Sequence, residues 1–169
     1  FEGKPVVFEA AIFADTQEEP VDPGHNVYEH LKWLEGRGPR ILIGTAGKLG
    51  DHLMNGTDST NQRFASIPSF TLGADGKMGK IRRQCTSEYK IGVIEKVIRR
   101  QVLGLQPRKW VPNGTTVHQW IGISVDEAGR MYKAKARQLE NPVRWQAFHY
   151  PLIEQLNWTV EDVARSFGV

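Results

Sequence analysis

The lone cysteine of this chain lies in a strongly basic segment, GKIRRQCTSEYKIG. Arg82, Arg83 and Lys90 flank Cys85, and cationic neighbours stabilise a thiolate and attract anions. Three interpretations of Cys85 are open: a nucleophile, a ligand of a metal cluster, or an inert small residue, which is the commonest role of a single cysteine. The basic side chains predict contacts with phosphate or sulfate groups.

A second candidate site follows the apolar run VVFEAAIFAD. Asp15 and Thr16 stand at its end, where a short acidic side chain can accept hydrogen bonds from the hydroxyl or amino groups of a nucleoside. The same residue types also cap helices and loops. Residue type alone favours neither interpretation.

A third set of polar residues follows the apolar run VHQWIGIS and comprises Gly122, Ser124, Asp126, Glu127 and Arg130. The spacing Ser-x-x-Glu is typical of a capping box that opens a helix, which is the ordinary interpretation. The functional alternative is a strand–turn–helix in which the glycine admits a ligand and the arginine projects one turn further on.

Several other chemistries find no support in the sequence. The five histidines show no spacing typical of a metal site, so no metal site is predicted. The patterns GxxxxGK[ST], GxGxxG and GxSxG are absent, and one cysteine permits no internal disulfide. Trp120 lies within an apolar strand pattern and is interpreted as a core residue rather than a base-stacking one.

Charge is distributed unevenly over a composition that is ordinary for a globular protein. Residues 1–36 carry eight acidic and two basic side chains, whereas residues 77–109 carry ten basic and two acidic ones. The basic block predicts either a surface for a polyanion or a solvated helix face. No apolar stretch approaches a membrane span, and 169 residues fit one domain, 1–169. A cytoplasmic protein is expected.

Strands and helices alternate along the chain, which predicts an α/β fold with a mostly parallel sheet. Ligands bind beyond the carboxyl ends of the strands in such sheets. Strands are predicted in VVFEAAIFAD, RILIG and VHQWIGIS, a hairpin around GADGK, and helices over 27–35, 51–54, 87–103, 124–135 and the C-terminal region, with Thr159 or Asn157 near the last cap. The best helix, 87–103, has Ile91, Ile94, Ile98 and Val102 on one stripe, with Thr86 or Ser87 as its cap.

Taken together, AAIFADTQEEP, RRQCTSEYKI, QWIGISVDEAGRM and YPLIE…WTVEDV resemble the phosphoadenosine phosphosulfate reductase family, most closely its phage and prophage branch. That family lies within the adenine nucleotide alpha-hydrolase superfamily. The resemblance implies a doubly wound α/β fold that binds an adenine nucleotide, ATP or phosphoadenosine phosphosulfate, with Mg²⁺. It also implies sulfate reduction or ATP-dependent adenylation in a bacterial or phage-infected host.

The resemblance assigns roles by position. Arg82, Arg83, Cys85 and Lys90 match the family's Arg-x-Cys-x-x-x-x-Lys segment and are the expected catalytic residues. Nucleotide binding is expected of the residues that match the family's strand-end elements: Asp15, Thr16, Gly122, Ser124, Asp126, Glu127 and Arg130.

The chain departs from the family at both ends. It lacks the Ser-Gly-Gly phosphate loop and the C-terminal cysteines, and the first strand of the sheet is expected to be absent. An iron–sulfur cluster would therefore need cysteines from elsewhere. A second chain or another copy is expected to supply the missing strand, and the isolated chain is expected to be inactive. The alternative function is a non-catalytic basic module that binds nucleic acid or a partner subunit.

Overall fold

The structure, a computed structural model, describes residues 5–23, 26–60, 70–80 and 86–168. It divides into two compact units, Phe1–Lys109 and Trp110–Val169. Each unit has its own strands and helices.

The first unit is built on a pair of parallel strands. β1 (Ala10–Asp15) pairs with β2 (Arg40–Thr45) from Ala10 opposite Arg40 to Asp15 opposite Thr45. Helix α1 (Val27–Leu34) lies in the crossover, and the side chain of Asn26 caps it by accepting from the backbone amide of Tyr28 at 3.0 Å. The predictions of both strands and of this helix are confirmed.

Two smaller elements follow in the first unit. Helix α2 covers Leu49–Met54, and an antiparallel hairpin pairs β3 (Phe70–Leu72) with β4 (Met78–Lys80). The hairpin turn is closed by a hydrogen bond from the Gly73 amide to the Lys77 carbonyl at 2.9 Å. The predicted short helix and hairpin are confirmed.

The predicted long helix is present but is wound unevenly. Helix α3 (Gly92–Val97) is flanked by π-helical turns at Ser87–Ile91 and Ile98–Val102. Thr86 already has helical φ and ψ of −68° and −42° and makes no side-chain cap bond. The prediction of a cap at Thr86 or Ser87 is therefore wrong, because the backbone there is already helical, whereas a cap residue is normally extended.

The buried stripe of this helix differs from the predicted one. Tyr89, Val93, Val97 and Ile98 are buried, whereas Ile91 is 54% exposed. Positions i, i+4 and i+8 share one face of a regular helix, so the buried face is a different one from that predicted. Of the predicted stripe, only Ile98 is fully buried.

The second unit also contains two parallel strands, β5 (Val117–Trp120) and β6 (Gln146–His149). A 3₁₀ turn (Val125–Glu127) leads into α4, and two short helices complete the unit; their bounds are Ala128–Glu140 for α4, Pro151–Glu154 for α5 and Val160–Phe167 for α6. α4 runs beyond the predicted end near Lys135. α5 was not predicted, and its proline at the first helical position is favourable there because that position needs no amide donor.

A small apolar core holds the second unit together. Ile123, Met131 and Tyr150 are buried, and Ile121 and Phe148 pack against them. Side chains alternate between the two faces of a strand, so Trp120 points to the face opposite Ile121 and is only half-buried. The interpretation of Trp120 as a residue of this core is wrong for that reason.

The fold thus combines helices with small parallel sheets, as an α/β protein does. In the described ranges the strands form three two-stranded sheets. A single doubly wound sheet stays a prediction from the sequence.

Candidate functional site

The carboxyl end of β1 holds a network of polar side chains centred on Asp15. Its Oδ1 accepts from the backbone amide of Gln17 and from the hydroxyl of Tyr28, both at 2.8 Å. Gln17, which donates this amide, itself has a φ of +59°, in the left-handed region. Within the described ranges, Oδ2 of Asp15 makes no hydrogen bond, so one oxygen fixes the side chain and the other can accept from a ligand.

The hydroxyl of Tyr28 is a strong partner for this carboxylate. The hydrogen bond to Asp15 raises the pKa of Tyr28 above its usual value, and burial and the negative charges of Asp15 and Glu19 raise it further. The phenol therefore stays protonated and donates over the whole neutral range. Tyr28 lies in the first turn of α1, so the Asn26 cap also places this donor.

Thr16 links the end of β1 to the basic segment. The side chain of Thr16 is buried, and its hydroxyl donates to Oε1 of Glu19 at 2.9 Å. The ammonium of Lys90 lies 3.7 Å from the same oxygen. Glu19, which the sequence interpretation missed, thus joins two predicted site residues, Thr16 and Lys90. Thr16 directly follows Asp15 in the chain.

The π-helical turn Ser87–Ile91 makes this arrangement possible. Three consecutive residues of it reach three different parts of the first unit. Glu88 accepts from the backbone amide of Ser59 at 2.9 Å and from its hydroxyl, Nδ1 of His52 lies 2.6 Å from the Tyr89 hydroxyl, and Lys90 pairs with Glu19. π-helical turns in other proteins are frequent at functional sites because the wide turn redirects side chains.

A buried acidic residue, Asp58, lies in the same unit. It is fully buried and accepts from the backbone amide and hydroxyl of Thr60 at 2.9 and 2.6 Å. Burial, followed by the charges of Glu88 and Asp58, raises the pKa of Tyr89. The Asp-Ser-Thr sequence predicts only a turn held by side-chain hydrogen bonds. That Asp58 is buried follows only from the tertiary structure.

Three predicted catalytic residues, Arg82, Arg83 and Cys85, lie outside the described residues. Their predicted contact with phosphate or sulfate stays a prediction.

The third predicted set lies in the second unit, after β5. The predicted capping box between Ser124 and Glu127 is not formed, because the Glu127 amide donates to the Ser124 carbonyl at 3.0 Å in a 3₁₀ turn. The Ser124 hydroxyl is buried and has no hydrogen-bond partner among the described residues. An unpaired buried hydroxyl is costly.

The remaining members of this set either make contacts within the chain or, at the glycine, have free space beside them. Asp126 accepts from the backbone amide of Val160 at 2.9 Å and so supports the start of α6. Arg130 pairs with Glu127 one turn earlier. A side chain added at Gly122 would meet no atom within 4 Å, so packing does not require the glycine there.

Comparisons with family models, with curated proteins and with solved structures found no match. In the described part of the chain, no helix is long and apolar enough to span a membrane. The same residues contain no group of three or more His, Cys, Asp and Glu side chains placed to hold a metal ion.

Proposed function

We propose that this chain binds an adenine nucleotide and belongs to a phosphoadenosine phosphosulfate reductase-like protein acting in sulfate reduction or ATP-dependent adenylation. The observation that carries the proposal is the carboxylate of Asp15 at the carboxyl end of a parallel strand. Two donors orient its Oδ1 and leave Oδ2 open. A fixed carboxylate oxygen is the acceptor that ribose hydroxyls or an adenine amino group need.

A positive charge near this strand end supports recognition of the phosphate or sulfate group of the nucleotide. The ammonium of Lys90 lies 3.7 Å from the carboxylate of Glu19, which follows Asp15 by four residues. An ammonium in this position offsets the negative charge of a phosphate or sulfate group, most strongly where that charge develops during transfer. The network therefore offers one acceptor for the nucleoside and one cation for the anionic group.

A magnesium site is not part of this proposal. At the strand end, Asp15 and Glu19 each already accept from protein donors, and Glu18 lies 3.9 Å from the ammonium of Lys48. No third carboxylate of the described residues joins them in a metal-binding group. Binding is therefore attributed to the side chains named here.

The test is calorimetric titration of the chain with ATP, AMP, an adenylated sulfate and GTP. We expect the adenine nucleotides to bind better than GTP, and Asp15→Asn to weaken binding about tenfold, or about 1.4 kcal/mol. Tyr28→Phe removes one of the two donors that orient Asp15 and should weaken binding less. Asp22→Asn, an exposed acid of the same unit, is the matched control and should bind as the parent does. Equal affinity of the Asp15→Asn variant, or no binding of any nucleotide, would overturn the proposal.

A basic binding module is the second candidate, and a cationic surface on α3 and the π-helical turn after it favours it. Lys96, Arg99 and Arg100 line a cavity of about 270 Å³ together with Gly92 and Glu95. The two arginines also hold the following loop, donating to the carbonyls of Lys109 and Leu105 at 2.7 and 2.6 Å.

Salt titration distinguishes this candidate from nucleotide binding. A nucleic acid held by these cations should lose affinity steeply as salt rises, because counterions are released on binding. Lys96→Gln should reduce that slope by about one ion, whereas Lys32→Gln on α1 should not change it. Affinity that does not depend on salt would exclude this candidate.

A further inference from the structure

Two histidines meet on one face of the β5–β6 sheet. Nδ1 of His118 lies 2.8 Å from Nε2 of His149. The ring centres are 5.1 Å apart, and the ring planes differ by 16°. The centre-to-centre distance equals the N···N distance plus roughly one ring radius on each side. The contact therefore runs along the line joining the rings, nearly in both planes, as an N–H···N hydrogen bond requires.

This geometry limits how many protons the pair can hold. A neutral imidazole carries a proton on one nitrogen, and a cationic one carries protons on both. The in-line contact needs one proton between His118 and His149, so a neutral pair or a singly charged pair satisfies it. In the doubly charged pair both facing nitrogens carry protons, and the contact becomes repulsive.

The surroundings lower the pKa of His149. Burial and the neighbouring His118 lower the pKa of His149, and the charge of Glu154 on α5 opposes them. Glu154 is itself paired with Lys135 of α4 and accepts from the Tyr150 amide at 3.1 Å. The Trp120 ring lies 5.2 Å from that of His149. Glu154 of α5 is thus a charged group that acts on the pair, and Lys135 of α4 is its ion-pair partner.

The pair also lies where the pairing of β5 with β6 ends. His149 is the last residue of β6, and its carbonyl accepts from the amide of Ile121 at 2.9 Å. This is the last hydrogen bond between the two strand segments before the chain turns into the Ser124 region. A force that separates the imidazoles therefore acts on the same residue that closes the strand pairing.

We propose that His118 and His149 form an acid-sensitive latch between β5 and β6. The pair takes up a first proton while keeping its bridge, because a charged donor strengthens the hydrogen bond. A second proton, taken up at lower pH, breaks the bridge and loosens the end of β6 from β5. The latch is independent of the proposed nucleotide site.

The experiment is an NMR titration of the imidazole ¹⁵N and ¹H signals of the whole chain between pH 8 and pH 4. We expect the pair to titrate in two steps separated by more than about one pH unit. The exchange of the Ile121 amide, corrected for its intrinsic pH dependence, should rise about tenfold across the second step if the strand end opens locally.

Two variants keep the test decisive. His118→Gln and His149→Gln each leave one imidazole, which should titrate in a single step with no matching change at Ile121. His30→Gln, which removes an exposed histidine of α1, is the control and should leave both steps unchanged. Overlapping single-site titrations in the parent chain, or exchange at Ile121 that ignores the second step, would overturn the proposal.

Discussion

Tyr89 shows how one side chain can serve both packing and polar chemistry in the first unit. Its ring is fully buried in the stripe formed with Val93 and Val97, while its hydroxyl meets Nδ1 of His52 at 2.6 Å. A tyrosine in a helix pattern is easily taken as a surface residue, because its polar tip usually reaches water. Here the tip instead ties the π-helical turn to α2.

This burial predicts a loss of stability in alkali. The pKa of Tyr89 is raised, chiefly by burial, so the phenol keeps its proton in the folded chain at a pH where the unfolded chain has lost it. The contribution of Tyr89 is therefore present below its unfolded pKa of about 10 and falls as the pH rises through and above that value. The midpoints of urea unfolding, measured from pH 8 to pH 11, give the slope of stability against pH.

Tyr89→Phe should flatten that slope relative to the parent while lowering stability at pH 8, because His52 loses its partner. Tyr132→Phe, at an exposed position on α4, should leave both the slope and the stability at pH 8 unchanged. A slope that is the same in Tyr89→Phe and the parent would contradict the assignment.

At the scale of elements, the contact between α3 and β2 sets the geometry of the strand end. A methyl group added at Gly44 would lie 2.5 Å from Cγ2 of Val97 and 2.8 Å from Cγ1 of Val93. Helix and strand therefore approach more closely than any larger residue would allow. The packing at Gly44 is what brings the basic helix beside the strands that carry Asp15.

Gly44→Ala should destabilise the chain by about 1–3 kcal/mol, because the added carbon overpacks this contact. Chemical unfolding followed by circular dichroism measures the loss. Gly38→Ala is the matched control, since a side chain there would meet no atom within 4 Å. Equal stability of the two variants would show that the helix does not press on β2 at this point.

The last helix begins with a complete capping box. The Thr159 hydroxyl accepts from the Asp162 amide at 3.2 Å, and the Asp162 carboxylate accepts from the Thr159 amide at 2.9 Å. Thr159→Ala should cost about 1 kcal/mol, and Thr159→Ser should restore most of it. Thermal unfolding measures both. Loss of stability in the serine variant as large as in the alanine variant would argue against the cap.

At the scale of the whole molecule, the described residues form two units with separate cores. The core of the second unit is small, so Met131 carries much of it. Met131→Ala should cost about 2–5 kcal/mol through lost burial and the cavity left behind. Amide exchange should rise most in residues 110–168.

Met54→Ala is the control for this prediction, because Met54 is 88% exposed. It should change stability and exchange little. A uniform rise in exchange over residues 5–168 in Met131→Ala would mean that the second core does not stabilise its own unit preferentially.

Several features of this chain follow from its sequence alone. β1, β2, β5 and the C-terminal helix were predictable, because apolar periodicity and local caps such as Thr159 act over a few residues. Asp15 and Lys90 were chosen as candidate residues from their types and from the resemblance of their segments to a known family, and their roles stay predictions. The proposed function still rests partly on that resemblance.

Other features were decided only by the tertiary structure. The role of Glu19 between Thr16 and Lys90 depends on residues 71 positions apart in the chain, and no local pattern encodes such a contact. Burial falls on Tyr89 rather than Ile91, on the helix face that packs against Gly44 and whose tyrosine contacts His52. The His118–His149 contact likewise exists only because β5 and β6 pair in one register. Local preferences determine which elements form, whereas the side chains that meet are decided by packing between distant segments.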